Sequence, residues 1–160
     1  DEEVFFAERR ILKEQVIKNK DLQIIATDIS EDAINVSRRN AQTAGVETLI
    51  TFEVCDFEET QVPEGGKGVV VFNPEYGERL GVHSKLELTY KRMGDFMKKN
   101  CKGYFGYIFT GNPDLAKKIG LKADKKVEFY NGKLDCRLLT YELYDGTRRA
   151  EEDRPKAKLD

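Results

Sequence analysis

From Leu22 onward the chain alternates short apolar runs with stretches whose apolar residues recur every three or four positions. That alternation is the strongest constraint on the fold. A period near 3.6 marks amphipathic helices and short apolar runs mark buried strands. Strand and helix in turn imply a parallel sheet with helices on its faces. Residues 3–18 read as a first helix, with Val4, Ala7, Ile11, Leu12 and Val16 on one side. Leu22–Ala26 reads as a strand. Ser30 caps a second helix that carries Ala33, Ile34, Ser37 and Ala41 on one face and stops at Gly45. Leu49–Val54 and Val69–Phe72 read as strands, His83–Asn100 as a helix, Gly103–Thr110 as a strand and Pro113–Ile119 as a short helix. Asn131-Gly132 between two strand-like runs, Lys126–Tyr130 and Leu134–Tyr144, predicts a closing antiparallel hairpin. The expected fold is therefore α/β, a mostly parallel sheet with helices on both faces, ending in an antiparallel hairpin. Residues 1–146 form its domain and 147–160 a polar tail or linker.

Several function classes are disfavoured by composition. One histidine, His83, makes a zinc site or a Ser-His-Asp triad improbable. The three cysteines, Cys55, Cys101 and Cys136, have neither metal spacing nor the even count of a disulfide framework, and read as core filler in a reducing, cytoplasmic setting. No metal is expected. No apolar run approaches a membrane span. Net charge is −2, so a nucleic-acid partner needs a local basic patch rather than a global field. Arg38-Arg39, Lys98-Lys99 with Lys102, Arg148-Arg149, and Lys133 with Arg137 are candidates. Each also reads as a solvated face or a charged sheet edge.

The chemistry gathers at the carboxyl ends of the predicted strands, where open parallel sheets bind ligands. Asp28 follows the first strand and can accept both hydroxyls of a ribose, or simply help Ser30 cap its helix. Asp56, next to Phe57, follows the second strand. It can accept from an exocyclic amine while the ring borders an adenine, or serve as a turn residue. Asn73-Pro74-Glu75-Tyr76 follows the third. The residue before proline is held extended and proline fixes its own φ. The Asn73 amide oxygen and the Pro74 carbonyl can then point the same way and hold both protons of a planar –NH2, with Tyr76 stacked on the ring that bears it. Together these features describe a clamp for an aromatic amine beside an adenosine-like ligand, with methyl transfer from S-adenosylmethionine as the reaction. Such transfer needs positioning more than acid–base groups.

The element Asn73-Pro74-Glu75-Tyr76 resembles the (D/N/S)-P-P-(Y/F) motif of amino-methyltransferases. The longer NPEYGERLG is similar to the NPPYGERL segment of the THUMP-associated bacterial 23S rRNA guanine-N2 methyltransferases. ATDISEDAINVSRRNAQTAGV, ITFEVCDFEE and GNPDLAKKIGLKADKKVEFYNGKLDCRLLTYELY resemble further segments of that family in the same order, over residues 20–146. The resemblance implies a Rossmann-like class I methyltransferase fold with S-adenosyl-L-methionine as cofactor. It implies cofactor contacts from Asp28, Ile29, Asp56, Phe57 and Asn73, and a catalytic clamp of Asn73, Pro74 and Tyr76. It also implies an rRNA substrate and an upstream THUMP-like RNA-binding domain. Glu75 stands where the family usually has a second proline. The family's first strand and its D-P-x-x-G-S-G-T loop have no counterpart before the first helix, so these 160 residues alone are expected to bind the cofactor poorly. Two alternatives stay open: an adenine-N6 methyltransferase with the same clamp, and a catalytically silent Rossmann-like module that binds RNA or protein.

Overall fold

A computed structural model describes residues 1–16, 22–65, 67–75, 83–132 and 134–144. The element order is α1 (Glu2–Glu14), β1 (Ile24–Asp28), α2 (Glu31–Ala44), β2 (Ile50–Val54), β3 (Val69–Phe72), α3 (His83–Asn100), β4 (Phe105–Thr110), α4 (Pro113–Lys118), β5 (Lys125–Asn131) and β6 (Leu134–Glu142). The chain forms two compact units, residues 1–57 and 58–160. The tail assigned to 147–160 lies outside the described residues.

In the first unit β1 and β2 pair in parallel, Ile24 opposite Ile50 through Asp28 opposite Val54. The sequence places the first strand at Leu22–Ala26; it is two residues later. Thr27 is polar and Asp28 a poor strand former, but their backbones continue the ladder against Glu53 and Val54. α2 begins as expected, with Ser30 Oγ accepting the Ala33 N–H at 3.3 Å. It ends at Gly45, whose φ of 73° is the left-handed conformation that glycine adopts without strain. Ile34 and Ala41 are its buried residues. Arg38 lies 4.9 Å over the Phe52 ring and 3.3 Å from Glu47, so one half of the Arg38-Arg39 pair is committed within the unit. α1 is capped by Asp1, whose Oδ1 accepts the Glu3 N–H at 3.0 Å. It stops at Glu14, short of the expected Lys18, and buries no residue.

The second unit holds most of the core. Its sheet runs β3-β4-β6-β5, with β3 and β4 parallel and the closing β5–β6 hairpin antiparallel. β4 and β5 therefore flank β6, so the last strand enters the sheet interior and β5 takes the edge. α3 buries Leu86, Tyr90, Met93, Phe96 and Met97, spaced at helical period. Phe96 meets Phe72 of β3 edge-on at 6.2 Å. Ile108, Leu115, Ile119, Cys136 and Leu139 complete the interior. α3 and α4 cross so closely at Gly94 that a Cβ there would sit 1.8 Å from the Ile119 carbonyl oxygen. α4 is set by Asn112, whose side-chain oxygen accepts from both the Asp114 and Leu115 N–H groups at 3.0 Å. Arg137 on β6 is held by Asp135 and Glu128. Lys133 lies outside the described residues.

Candidate active site

Each unit presents polar groups at the carboxyl ends of its parallel strands. In the first unit, Asp28 is the last residue of β1, and its carbonyl accepts the Cys55 N–H at 3.1 Å. That bond carries the β1–β2 pairing one step past the ladder and brings Asp28 and the Cys55-Asp56-Phe57 turn to one edge. Asp28 Oδ1 accepts the Ser30 N–H at 2.8 Å, which is the local capping role the sequence allows. The residue stays exposed at the surface of the unit. Ile29, immediately after it, is 76% exposed, a large apolar side chain held out at a strand end. Asp56 and Phe57 are half-buried, and Phe57 opens a short 3-10 turn ending at Glu59. A carboxylate at each of two neighbouring strand ends, an exposed isoleucine and a half-buried aromatic ring form a donor set that fits a nucleoside. Carboxylates accept from ribose hydroxyls and from an exocyclic amine, and the apolar groups border the base.

In the second unit, β3 ends at Phe72 and delivers an exposed Asn73, a half-buried Pro74 and an exposed Glu75. Tyr76 lies outside the described residues, as do Glu78 and Arg79. The sequence reading missed what holds this strand end in place. Tyr90, fully buried on α3, directs its hydroxyl to the Glu75 carbonyl at 3.2 Å and to Thr110 Oγ1 at 2.8 Å. Thr110 Oγ1 in turn accepts the Asn112 N–H at 3.1 Å. The carbonyl of Glu75 can only accept, so the Tyr90 proton goes to it. The Thr110 proton then goes to Tyr90. The result is a directed chain, Asn112 N–H to Thr110 to Tyr90 to Glu75 C=O. It ties the exits of β3 and β4 to α3, one residue from the Asn73-Pro74 pair. A tyrosine hydroxyl in a core seeks a partner, and Thr110 is the one buried polar residue among those described. The available signal was a Tyr at an apolar helix position, which reads equally well as plain core filler.

Among the described residues no group of three or more His, Cys, Asp or Glu could hold a metal ion, and no helix is long and apolar enough to cross a membrane. Burial pushes the Cys101 thiol up to about 11, so it is protonated and inert at neutral pH.

Comparison with known proteins places the chain in a family. The UPF0020 family, an RMKL-like methyltransferase domain, matches residues 2–140. Similar curated proteins include the ribosomal RNA large subunit methyltransferase K/L of Syntrophotalea carbinolica, 40% identical over 85% of this chain and 19% of that protein. The protein of the same name from Aliivibrio salmonicida is 36% identical over 91% of this chain and 21% of its own length. The chain thus spans about a fifth of the length of these relatives. Among solved structures, SMU.472 in complex with SAH superposes with a TM-score of 0.76 at 28% identity, covering 92% of this chain and 38% of that one. A possible methylase from Clostridium difficile 630 gives 0.75 at 32% identity, with 92% and 39% covered. The fold is that of the class I methyltransferases, and with a family match over nearly its whole length the chain belongs to the UPF0020 family of RMKL-like methyltransferase domains.

Proposed function

We propose that this chain is the catalytic part of an S-adenosylmethionine-dependent enzyme that methylates the exocyclic N2 of a guanine in large-subunit rRNA. The observation that carries the proposal is the family match together with the strand ends: carboxylates at β1 and β2, and an Asn-Pro pair at β3. Asp28 and Ile29 take the ribose, Asp56 and Phe57 take the adenine, and Asn73 with the Pro74 carbonyl takes the target amine. Tyr76 stacks on the target base. The cofactor, when bound, supplies an electrophilic methyl group on a sulfonium.

A guanine amine is a poor nucleophile because its lone pair is delocalised into the ring. Two acceptors in fixed directions hold its two protons and draw the nitrogen toward a tetrahedral shape, which localises that lone pair. With the cofactor bound, its methyl would be the group the amine attacks; Asn73 and the Pro74 carbonyl would hold the amine through that attack, and one of the two N2 protons they hold would pass to solvent. Asn73 and Pro74 orient and hold the amine; no side chain has to become a strong base. The target base must leave its helix to reach such a slot. Residues 1–146 form the methyltransferase portion and 147–160 a linker. A THUMP-like RNA-binding domain elsewhere in the protein, and a cytoplasmic location beside the ribosome, belong to the same reading.

The test is transfer of labelled methyl from S-adenosylmethionine to large-subunit rRNA and to DNA, followed by nucleoside analysis. N2-methylguanosine from RNA is the expected product. N6-methyladenine would replace the guanine assignment, and no transfer by the full-length protein would leave a silent binding module.

A further inference from the structure

One face of α3 is not used by the core or by the reaction. Ser84, Glu87, Leu88 and Lys91 are spaced by three and four residues and so share that face. With Lys118, the last residue of α4, they line an open groove of about 290 Å³. The groove is built: α4 is locked against α3 at the Gly94–Ile119 crossing, and Lys118 Nζ bridges to Glu87 at 3.1 Å. Leu88 is 59% exposed on its floor. Glu87 is neutralised by Lys118, while Lys91 is exposed and makes no ion pair with a described residue. The surroundings are basic in an acidic chain. On α3 and α4, Arg92, Lys98, Lys117 and Lys118 pair with Glu58, Asp95, Asp114 and Glu87, which leaves Lys85, Lys91 and Lys99 as the excess positive charge in a chain that is −2 overall.

The groove is also tied to the strand end that holds Asn73 and Pro74. Tyr90, between Leu88 and Lys91 on the same helix, makes the bond to the Glu75 carbonyl. From Tyr90 back to Ser84 is about 9 Å along the helix axis, enough for about one or two nucleotides of extended strand.

We propose that this groove binds the sugar–phosphate backbone of the RNA strand next to the base undergoing methylation. Lys91 takes a phosphate oxygen while Lys118 stays on Glu87 and cancels its charge, the Ser84 hydroxyl donates to a phosphate or 2′-hydroxyl, and Leu88 packs against a ribose or base. This rests on the RNA reading above and adds the surface that sets the substrate's register. Phosphate contacts of this kind fix position and carry no sequence information.

The test uses the full-length protein with Lys91→Gln. The probe is the large-subunit rRNA that the wild-type protein methylates. Binding is measured by fluorescence anisotropy between about 50 and 200 mM salt. Each phosphate contact to a single strand contributes a slope of about 0.7 in log K against log salt. The variant is expected to lower the slope by about 0.7 and weaken binding about fourfold near physiological salt. Its S-adenosylhomocysteine affinity and unfolding midpoint stay unchanged. Lys117→Gln, which removes a lysine paired with Asp114 at 2.8 Å outside the groove, should leave RNA binding within twofold. A wild-type-like slope and affinity in Lys91→Gln, with wild-type protein active on the same RNA, would overturn the groove assignment alone. An equal loss in Lys117→Gln would also overturn it, by reducing the effect to general charge. Wild-type protein that neither binds nor methylates RNA would overturn the reading beneath it.

Discussion

Removing one oxygen, by Tyr90→Phe, tests the directed hydrogen-bond chain that fixes the exit of β3. The ring stays, so packing is conserved and no cavity opens. The bonds to the Glu75 carbonyl at 3.2 Å and to Thr110 Oγ1 at 2.8 Å go. Glu75 is exposed and water can replace the lost donor, so that bond is worth about 0.5–1 kcal/mol. Thr110 is 3% exposed, and its proton loses its acceptor in a dry setting, which costs about 1–2 kcal/mol. The expected destabilisation is about 2 kcal/mol. Urea unfolding followed by far-UV circular dichroism measures it, since the chain has no tryptophan. Thr110→Val alone should cost a similar amount. The double variant should fall short of the sum by about 1 kcal/mol, because the two groups share one bond. In the full-length enzyme Tyr90→Phe should lower the rate of methyl transfer with little change in cofactor affinity. A loss below about 0.5 kcal/mol with additive double-variant energies would show that the chain does not couple these elements.

Other substitutions probe separate links. Gly94→Ala places a methyl group against backbone, 1.8 Å from the Ile119 oxygen, and should cost about 3 kcal/mol. Gly106→Ala meets the Met97 sulfur at 2.6 Å on a flexible side chain, with Leu143 and Tyr141 in ordinary contact at 3.5 and 3.6 Å, and should cost about 1 kcal/mol; the order of the two unfolding midpoints checks the α3–α4 crossing. Asp28→Asn keeps an oxygen for the Ser30 N–H but loses the charge. It should leave stability within about 0.5 kcal/mol while weakening S-adenosylhomocysteine binding about tenfold by calorimetry on the full-length protein. Cys101 should make stability fall with pH. Its thiol is raised from 9.0 to about 11 in the fold, so the unfolded chain releases its proton first. The contribution is constant below about pH 9 and is lost as pH rises toward 11, by about 2–3 kcal/mol in full. Urea unfolding of wild type against Cys101→Ala across that range isolates it, Tyr141 adding the same sign at higher pH in both.

Where the sequence carries sharp punctuation, its reading of the elements is sharp. Gly68 and Asn73-Pro74 bracket a run of four apolar residues, and β3 occupies those four residues. α3 likewise fills His83–Asn100. Where a boundary depends on pairing, the sequence misplaces it. β1 extends through polar Thr27 and Asp28 because the partner strand continues, and Leu49 belongs to a 3-10 turn rather than to β2. Leu88 is an apolar residue inside α3, but the buried line passes through Leu86, Tyr90 and Met93 and leaves it exposed. The polar residues at the strand ends were legible because their chemistry is local. The Tyr90–Thr110 bond was not, since it joins residues twenty positions apart that only the folded sheet brings together.

The most direct test of the account is the single-turnover rate of methyl transfer to rRNA by full-length Asn73→Ala. Loss of a preorganised hydrogen-bonding group at the reacting atom should slow chemistry by about 10²–10³, with RNA and cofactor affinities within about threefold of wild type. A rate within about threefold of wild type would contradict the claim that Asn73 grips the amine.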